Sequence, residues 1–233
     1  MNYVPDFSIV PDFSIVTDFS IVTDNWIVLL RGLWVTIQIW IPSIVIGLAG
    51  GFLLAQARLA RSVWIRGTSL VYVELFRDTP VLIQLIWFYY AFPILVGVQL
   101  SPFAAALMGL TLNTSAYASE IFRGGIKSIH RGQLEGALAI GMTRGQAMRR
   151  VILPQVVKRM LPAFTNRTIE VAKMSSLASV ISVHELMYQG RLLSSTYYRP
   201  FEILTAVAFI YFVLIYPGTF LAGRLEKHLA RSN

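Results

Sequence analysis

The sequence predicts an all-α, polytopic membrane protein with five membrane-crossing helices, and three observations predict it. Of the 233 residues, 55% are hydrophobic, too many for an ordinary soluble domain. Apolar runs of about 20 residues, long enough to cross a hydrocarbon core of roughly 30 Å, recur along the chain. The basic residues fall between those runs, on alternate sides. Arg58, Arg61 and Arg66 follow the first run, eight Lys or Arg lie between 123 and 159, and three more lie at 224, 227 and 231. The opposite side holds Arg191 and Arg199, while Arg31, Arg77, Arg167 and Lys173 sit within or at the ends of runs. This asymmetry predicts an N-terminus outside and a C-terminus inside.

The net charge of +8 does not point to nucleic acid, because the cations are dispersed between spans instead of forming one patch with stacking aromatics. Cysteine is absent, which excludes disulfides and thiolate metal sites. His130, His184 and His228 have no ligand spacing, so neither a metal nor a bound cofactor is expected.

In chain order, residues 5–22 repeat a hexapeptide, PDFSIV, PDFSIV and TDFSIV, too short a unit for a solenoid. With aspartates and no Lys or Arg, residues 1–25 suit a tail on the outer side. They lack a basic segment and a small-residue cleavage pattern, so no cleaved signal peptide is expected. Residues 26–233 form the transmembrane domain. The first span, 32–57, carries no charge; its Pro42 and its Gly47, Gly50 and Gly51 cluster predict a kink or close helix packing. The second, 70–92, sets Glu74, Arg77, Asp78, Thr79 and Pro80 ahead of an aromatic apolar run. Glu74 and Arg77, three apart on one helical face, are expected to neutralise each other.

A turn around Pro93, Gly97, Ser101 and Pro102 leads to the third span, 103–122. Asn113, Tyr117 and Glu120 there fall at i, i+4 and i+7, on one face. An ionisable group inside a span costs about 2.5–3.5 kcal/mol, so this face should point into the bundle. The fourth span, opened by Pro162 and ending near 183, carries Arg167, Glu170 and Lys173 three apart with alternating sign, which must meet protein or a pore. Residues 184–201 read as an outer loop with a short interfacial helix, where Tyr197 and Tyr198 reach headgroup level. The last span, 203–223, precedes a basic tail.

Between the third and fourth spans lies an inner loop, about 133–155. Helix formers run from Glu135 through Gly136 and Ala137 to Ile140. Gly141 is suited to a left-handed helix end, Met142 follows in the turn, and Thr143 is placed to cap the next helix. That second helix carries Arg144, Arg149 and Arg150, presents Met148, Val151 and Ile152 to protein, and stops at Pro154. A basic helix resting on anionic headgroups accounts for the arginines. It does not account for the acid, glycine and proline at these spacings.

Those residues, Glu135-Gly136-Ala137, Gly141 and Ile152-Leu153-Pro154, resemble the cytoplasmic loop of ABC-importer permeases, with Gly136 standing where that family usually has Ala. Tyr72-Val73-Glu74, Phe76-Arg77, Thr79-Pro80 and Gln84 resemble the polar amino-acid subgroup (histidine, glutamine, arginine and glutamate-type permeases), with Asp78 in place of the usual Gly. So do residues 113–126 and Lys173, Ser175, Ser176 and Leu177, with Met174 where Asp is frequent. The resemblance runs from about Trp26 to Leu229.

It implies the transmembrane domain of a type I ABC importer in the bacterial cytoplasmic (inner) membrane. Such a subunit is not itself an enzyme: no stretch reads GxxxxGK followed by Ser or Thr, and ATP with Mg belongs to a partner. The implied partners are a second permease subunit, identical or paralogous, two ATP-binding subunits, an extracytoplasmic solute-binding protein and a polar amino acid. Residues Glu135, Gly136, Ala137, Gly141, Met142, Arg144 and Pro154 are then the ATPase-coupling residues. Asn113, Tyr117, Glu120, Lys173, Ser175 and Ser176 are candidates for the substrate path, since a zwitterion needs both donors and acceptors. An ATP-independent carrier or channel subunit is the alternative, disfavoured by the lack of inverted halves with matching broken helices.

Overall fold

The computed structural model describes residues 18–230, and among them the regular structure is helical throughout. Residues 5–17 of the hexapeptide repeat lie outside the described residues. A single helical turn, α1 (Ser20–Asp24), leads into α2 (Trp26–Arg58), a 33-residue helix that runs through Pro42. Helix α3 (Val63–Asp78) follows, then α4 (Val81–Ile86), a π turn (Trp87–Ala91) and α5 (Phe92–Val96). Gly97 ends α5 at φ +70°. Helix α6 (Pro102–Lys127) is capped by the Ser101 hydroxyl, which accepts from the Ala104 N–H at 3.2 Å.

The inner loop holds α7 (Arg131–Ala139) and α8 (Arg144–Ala147). It passes through a π turn (Met148–Ile152) into α9 (Leu153–Met174) and a 3-10 stretch (Ser175–Ile181). Helices α10 (Leu186–Tyr197) and α11 (Pro200–Ala230) complete the chain.

Helices α2 and α6 form the central pair, and glycine permits their approach. A Cβ added at Gly47 would lie 2.6 Å from Thr114 Cγ2, and one at Gly51 would lie 2.4 Å from Ala118 Cβ and 2.8 Å from the Ser115 carbonyl oxygen. The contact register climbs in the same direction on both helices, 47 with 114 and 51 with 118, so the two run parallel. An odd number of crossings must therefore join them. Gly51→Ala is expected to lower the unfolding temperature in detergent, at an overpacking cost of about 1–3 kcal/mol. An unchanged melt would show that this pair separates freely.

The joining segment is not the straight helix expected over 70–92. Helix α3 and the run Val81–Val96 meet at 106°, at Thr79–Pro80. Proline disfavours helical geometry in the residue before it, and Thr79 is extended, with φ −100° and ψ 139°. In lipid the carbonyls freed by such a break need partners. They find them in two side chains, one just past the break and one across the bundle, as described below.

Two helices, α2 and the 200–224 part of α11, are long and apolar enough to cross a bilayer, with the bent pair a third if it counts as one span. Helices α6 and α9 have the length, but their polar residues face each other and lower their apolarity. They run antiparallel, a Cβ at Gly125 meeting Met160 and Arg167 reaching Asn113. Broad apolar surface stays exposed on α2 (Trp34, Val45, Leu53) and α11 (Phe209, Phe212, Leu221), as expected where lipid or another subunit replaces water.

Two prolines act differently from the sequence expectation. Pro154 does not stop the second loop helix: residues 144–174 are one continuous helical run, and the π turn just before Pro154 loosens the ladder where its missing N–H would have bonded. Pro162 lies inside α9 and does not open it. The short helix expected within 184–201 appears as α10, whose last residue, Tyr197, and C-cap, Tyr198, are exposed.

Candidate functional site

The inner loop is built locally by cap chemistry. Helix α7 starts at His130, whose Nδ1 accepts from the Gly132 N–H at 3.1 Å. It ends in a paired turn: the Gly141 N–H donates to Leu138 O at 3.0 Å and the Met142 N–H to Ala137 O at 3.1 Å. This Schellman arrangement needs a left-handed residue, and Gly141 supplies it at φ +84°. Thr143 then starts α8 with a full capping box. Its hydroxyl accepts from the Gln146 N–H at 3.3 Å, while its own N–H donates to Gln146 Oε1 at 3.0 Å.

Leu134 packs on Ile152, Val156 and Met160, and Ala137 is buried. Gln155 Nε2 donates to Gln133 Oε1 at 3.2 Å, and Arg159 donates to Ser128 O. The loop is thus held from behind and bare in front. Glu135, Gly136, Gly141, Arg144 and Pro154 are exposed, with Met142 half-buried in the turn. Ile140 is 74% exposed. Nothing lies within 4 Å of a Cβ placed at Gly136, so the alanine usual in the similar loops would fit there. Of the apolar residues expected to meet protein, Ile152 is buried, Val151 half-buried and Met148 exposed.

A second constellation lies deep in the bundle, where α9 meets α6 and the break. Arg167, 3% exposed, donates from Nη2 to Asn113 Oδ1 at 2.5 Å and from Nη1 to Glu170 Oε2 at 2.8 Å. Its guanidinium carbon lies 4.2 Å from the centre of the Tyr117 ring, a cation–π distance. Asn113 Nδ2 donates to Phe76 O at 2.7 Å and to Gln84 Oε1 at 3.2 Å. Gln84 Nε2 lies 2.9 Å from Phe76 O, 3.0 Å from Thr79 O and 2.7 Å from Thr79 Oγ1. Asn113 from α6 and Gln84 from the first turn past the break thereby satisfy the carbonyls that the Thr79–Pro80 break sets free.

The structure brings together only part of what the sequence grouped. Asn113, Tyr117, Arg167 and Glu170 share one cluster. Glu74 and Arg77 do not pair with each other. Arg77 instead turns toward Tyr117, 5.6 Å from the ring centre, and its carbonyl accepts from the Tyr117 hydroxyl at 3.4 Å. Glu120 leaves the cluster for the inner end of α6, where Arg58 and Arg123 both grip it. Ser175 is buried and donates to Ala172 O at 2.7 Å; Ser176 donates to Lys173 O at 2.8 Å. Lys173 is exposed and has no ion pair among the described residues.

One residue escaped sequence reasoning entirely. Glu185 is fully buried and caps α10, accepting from the Met187 and Tyr188 N–H groups at 2.9 and 2.8 Å. It also accepts from Tyr211 Oη at 2.6 Å and Thr36 Oγ1 at 3.4 Å, joining α2, α10 and α11. An acid one residue before a helix is a cap signal, but its partners lie 149 and 26 residues away and no spacing reveals them.

The described residues thus form a helical bundle with a hydrogen-bonded polar cluster inside it and a capped, exposed loop between α6 and α9. The chain belongs to the binding-protein-dependent transport system inner membrane component family, whose model matches residues 43–231. It is 38% identical over 196 residues to the glutamine transport system permease protein GlnP of Escherichia coli, covering 82% of this chain and 89% of that one. To the arginine transport system permease protein ArtQ of Bacillus subtilis it is 35% identical over 204 residues, covering 86% and 92%. A crystal structure of an amino acid ABC transporter with histidines matches with a TM-score of 0.83 at 34% identity, covering 91% of this chain and 98% of that one. The chain is a permease subunit of an ABC importer.

Proposed function

We propose that this permease imports a polar amino acid across the bacterial inner membrane, and that the α7–α8 loop carries the movement of a separate ATPase subunit into the bundle. The observation that carries the reading is the uncovered loop. Its shape is fixed by a Schellman turn and a capping box, yet Glu135, Gly136, Ile140 and Arg144 are left without cover. Its relatives are permeases of glutamine and arginine transport systems. Two permeases, two ATPases and an outer binding protein complete the assembly, with ATP hydrolysed outside this chain. Five crossings put the N-terminus outside and the C-terminus inside, in accord with the parallel run of α2 and α6 and with the basic residues around the loop.

Within the chain, the helical run 144–174 acts as a lever. Its lower end is the loop and its upper part holds Arg167, which reaches the Thr79–Pro80 break through Asn113 and Gln84. A push on the loop is thereby delivered to the bend of the joining segment. Substrate contact falls to Lys173, exposed and without an ion pair among the described residues, and to Glu170, whose side chain stays 46% exposed beside Arg167. Asn113 and Glu120 serve as struts, since their polar atoms are taken by protein.

The test is uptake of a labelled amino-acid panel into proteoliposomes holding this chain with its ATPase, companion permease and binding protein. Accumulation of a polar amino acid, only with ATP on the ATPase side, is the expected result. Equal uptake without ATP would favour a secondary carrier, and uptake confined to apolar amino acids would contradict the substrate class.

A further inference from the structure

At the inner end of the bundle, where α2 ends, α3 begins and α6 ends, four cations border one cavity of about 260 Å³. Arg58, Arg66, Arg123 and Lys127 line it together with Val63, Gly67 and Leu70. Its lining includes no acid. The carboxylate of Glu120 touches Arg58 and Arg123, which neutralises one of the four charges. Arg66 and Lys127 are exposed and form no ion pair among the described residues. Like charges held around one hollow repel unless an anion sits among them.

The surroundings specify which anion. The first turn of α3, beside the cavity, presents apolar side chains to the outside: Val63 is 68% exposed and Trp64 84%. Leu59 and Ile65 are exposed as well. A tryptophan at the end of a membrane helix is at home at headgroup depth. A soluble phosphate would need the arginines but not this apolar flank. A phospholipid needs both, the cations for its phosphate and the flank for its acyl chains. Basic pockets between helices on the inner side are suited to such headgroups.

We propose that this cavity binds the phosphate of an anionic phospholipid, phosphatidylglycerol or cardiolipin, with the chains laid along Val63, Trp64 and Ile65. The lipid ties the α2–α3 corner to the inner end of α6. The site rests on the membrane reading of the chain but not on its orientation, because its binding is measured in detergent or in discs with both leaflets alike.

The experiment is native mass spectrometry of the assembled, delipidated transporter, incubated with phosphatidylglycerol, with phosphatidylcholine, or with inorganic phosphate. The variants are Arg66→Gln/Lys127→Gln and the charge-keeping Arg66→Lys/Lys127→Arg. Both positions are exposed, so the variants are expected to fold, and size-exclusion and melting profiles check this. The wild type should retain phosphatidylglycerol over phosphatidylcholine. The Gln pair should lower that retention roughly tenfold or more, and the charge-keeping pair should preserve it. Equal retention of the two lipids, or retention unchanged in the Gln pair, would overturn the proposal. Displacement of the lipid by millimolar phosphate would assign the cavity to a soluble phosphate instead.

Discussion

Replacing Arg167 by Met should cost the protein several kcal/mol of stability and nearly all of its uptake. Arg167 is buried between α9 and α6, donating to Asn113 and Glu170 and lying over the Tyr117 ring. Its removal strands the buried Asn113 acceptor, at about 1–3 kcal/mol, and leaves a cavity where the guanidinium packed on Tyr117, at about 2–5 kcal/mol for a large buried side chain, whereas Glu170, 46% exposed, loses less. The loss should be partly reversed by removing the acceptor as well. Arg167→Met with Asn113→Leu should be less destabilised than the sum of the single changes, with a coupling of about 0.5–3 kcal/mol. Uptake should not return in the double variant, because the link from the loop to the Thr79–Pro80 break would still be missing. Thermal unfolding in detergent measures the first effect and proteoliposome uptake the second. A single Arg167→Met that melts and transports like the wild type would remove this residue from both roles.

Glu185→Ala is the second large loss, and it separates packing from coupling. One carboxylate caps α10 and accepts from Tyr211 and Thr36. Its removal strands the part-buried Tyr211 hydroxyl at about 1–3 kcal/mol and deletes the cap on the Met187 and Tyr188 N–H groups, with a typical contribution of about 1 kcal/mol, while Thr36 keeps the Gly32 carbonyl. The end of the bundle that holds α10, away from the loop, should loosen. The melting point should fall, protease cleavage near α10 should rise, and ATPase binding to the detergent-solubilised permease should be preserved. Unchanged protease sensitivity would show that α10 is held by its apolar contacts alone, Leu186 and Leu193 on Leu29, Ile203 and Val207.

What the sequence made legible is what local rules govern. The glycines of the first span packed as expected, against Thr114 and Ala118. Gly141 and Thr143 ended and began helices because left-handed backbone and a hydroxyl cap are properties of single residues in short windows. The i, i+4 spacing correctly put Asn113 and Tyr117 on one face, and the i, i+3 spacing put Arg167 beside Glu170. The same spacing failed for Glu74 and Arg77, because it permits a contact without selecting it and Tyr117 offers Arg77 another.

Non-local satisfaction was out of reach. An apolar stretch with one proline reads as a span, and it takes Asn113 from across the bundle, together with Gln84 just past the break, to cap the freed carbonyls and make the 106° bend tolerable in lipid. Glu120 found Arg58 on another helix. Pro154 does not stop the helix because a single missing ladder bond is tolerated here: a π turn precedes it and the run continues, as it does through Pro162 and as α2 does through Pro42.

The central claim is that an external ATPase drives this chain through the α7–α8 loop, and Glu135→Lys tests it most directly. Glu135 is exposed and forms no ion pair among the described residues, so reversing its charge should leave the fold and membrane insertion intact. Uptake in proteoliposomes with the full set of partners, with and without ATP, is compared for wild type and variant alongside the melting point of each. The account predicts ATP-dependent uptake that collapses in the variant at an unchanged melting point, with less ATPase retained on the permease. Uptake that stays ATP-dependent and undiminished in Glu135→Lys would contradict it.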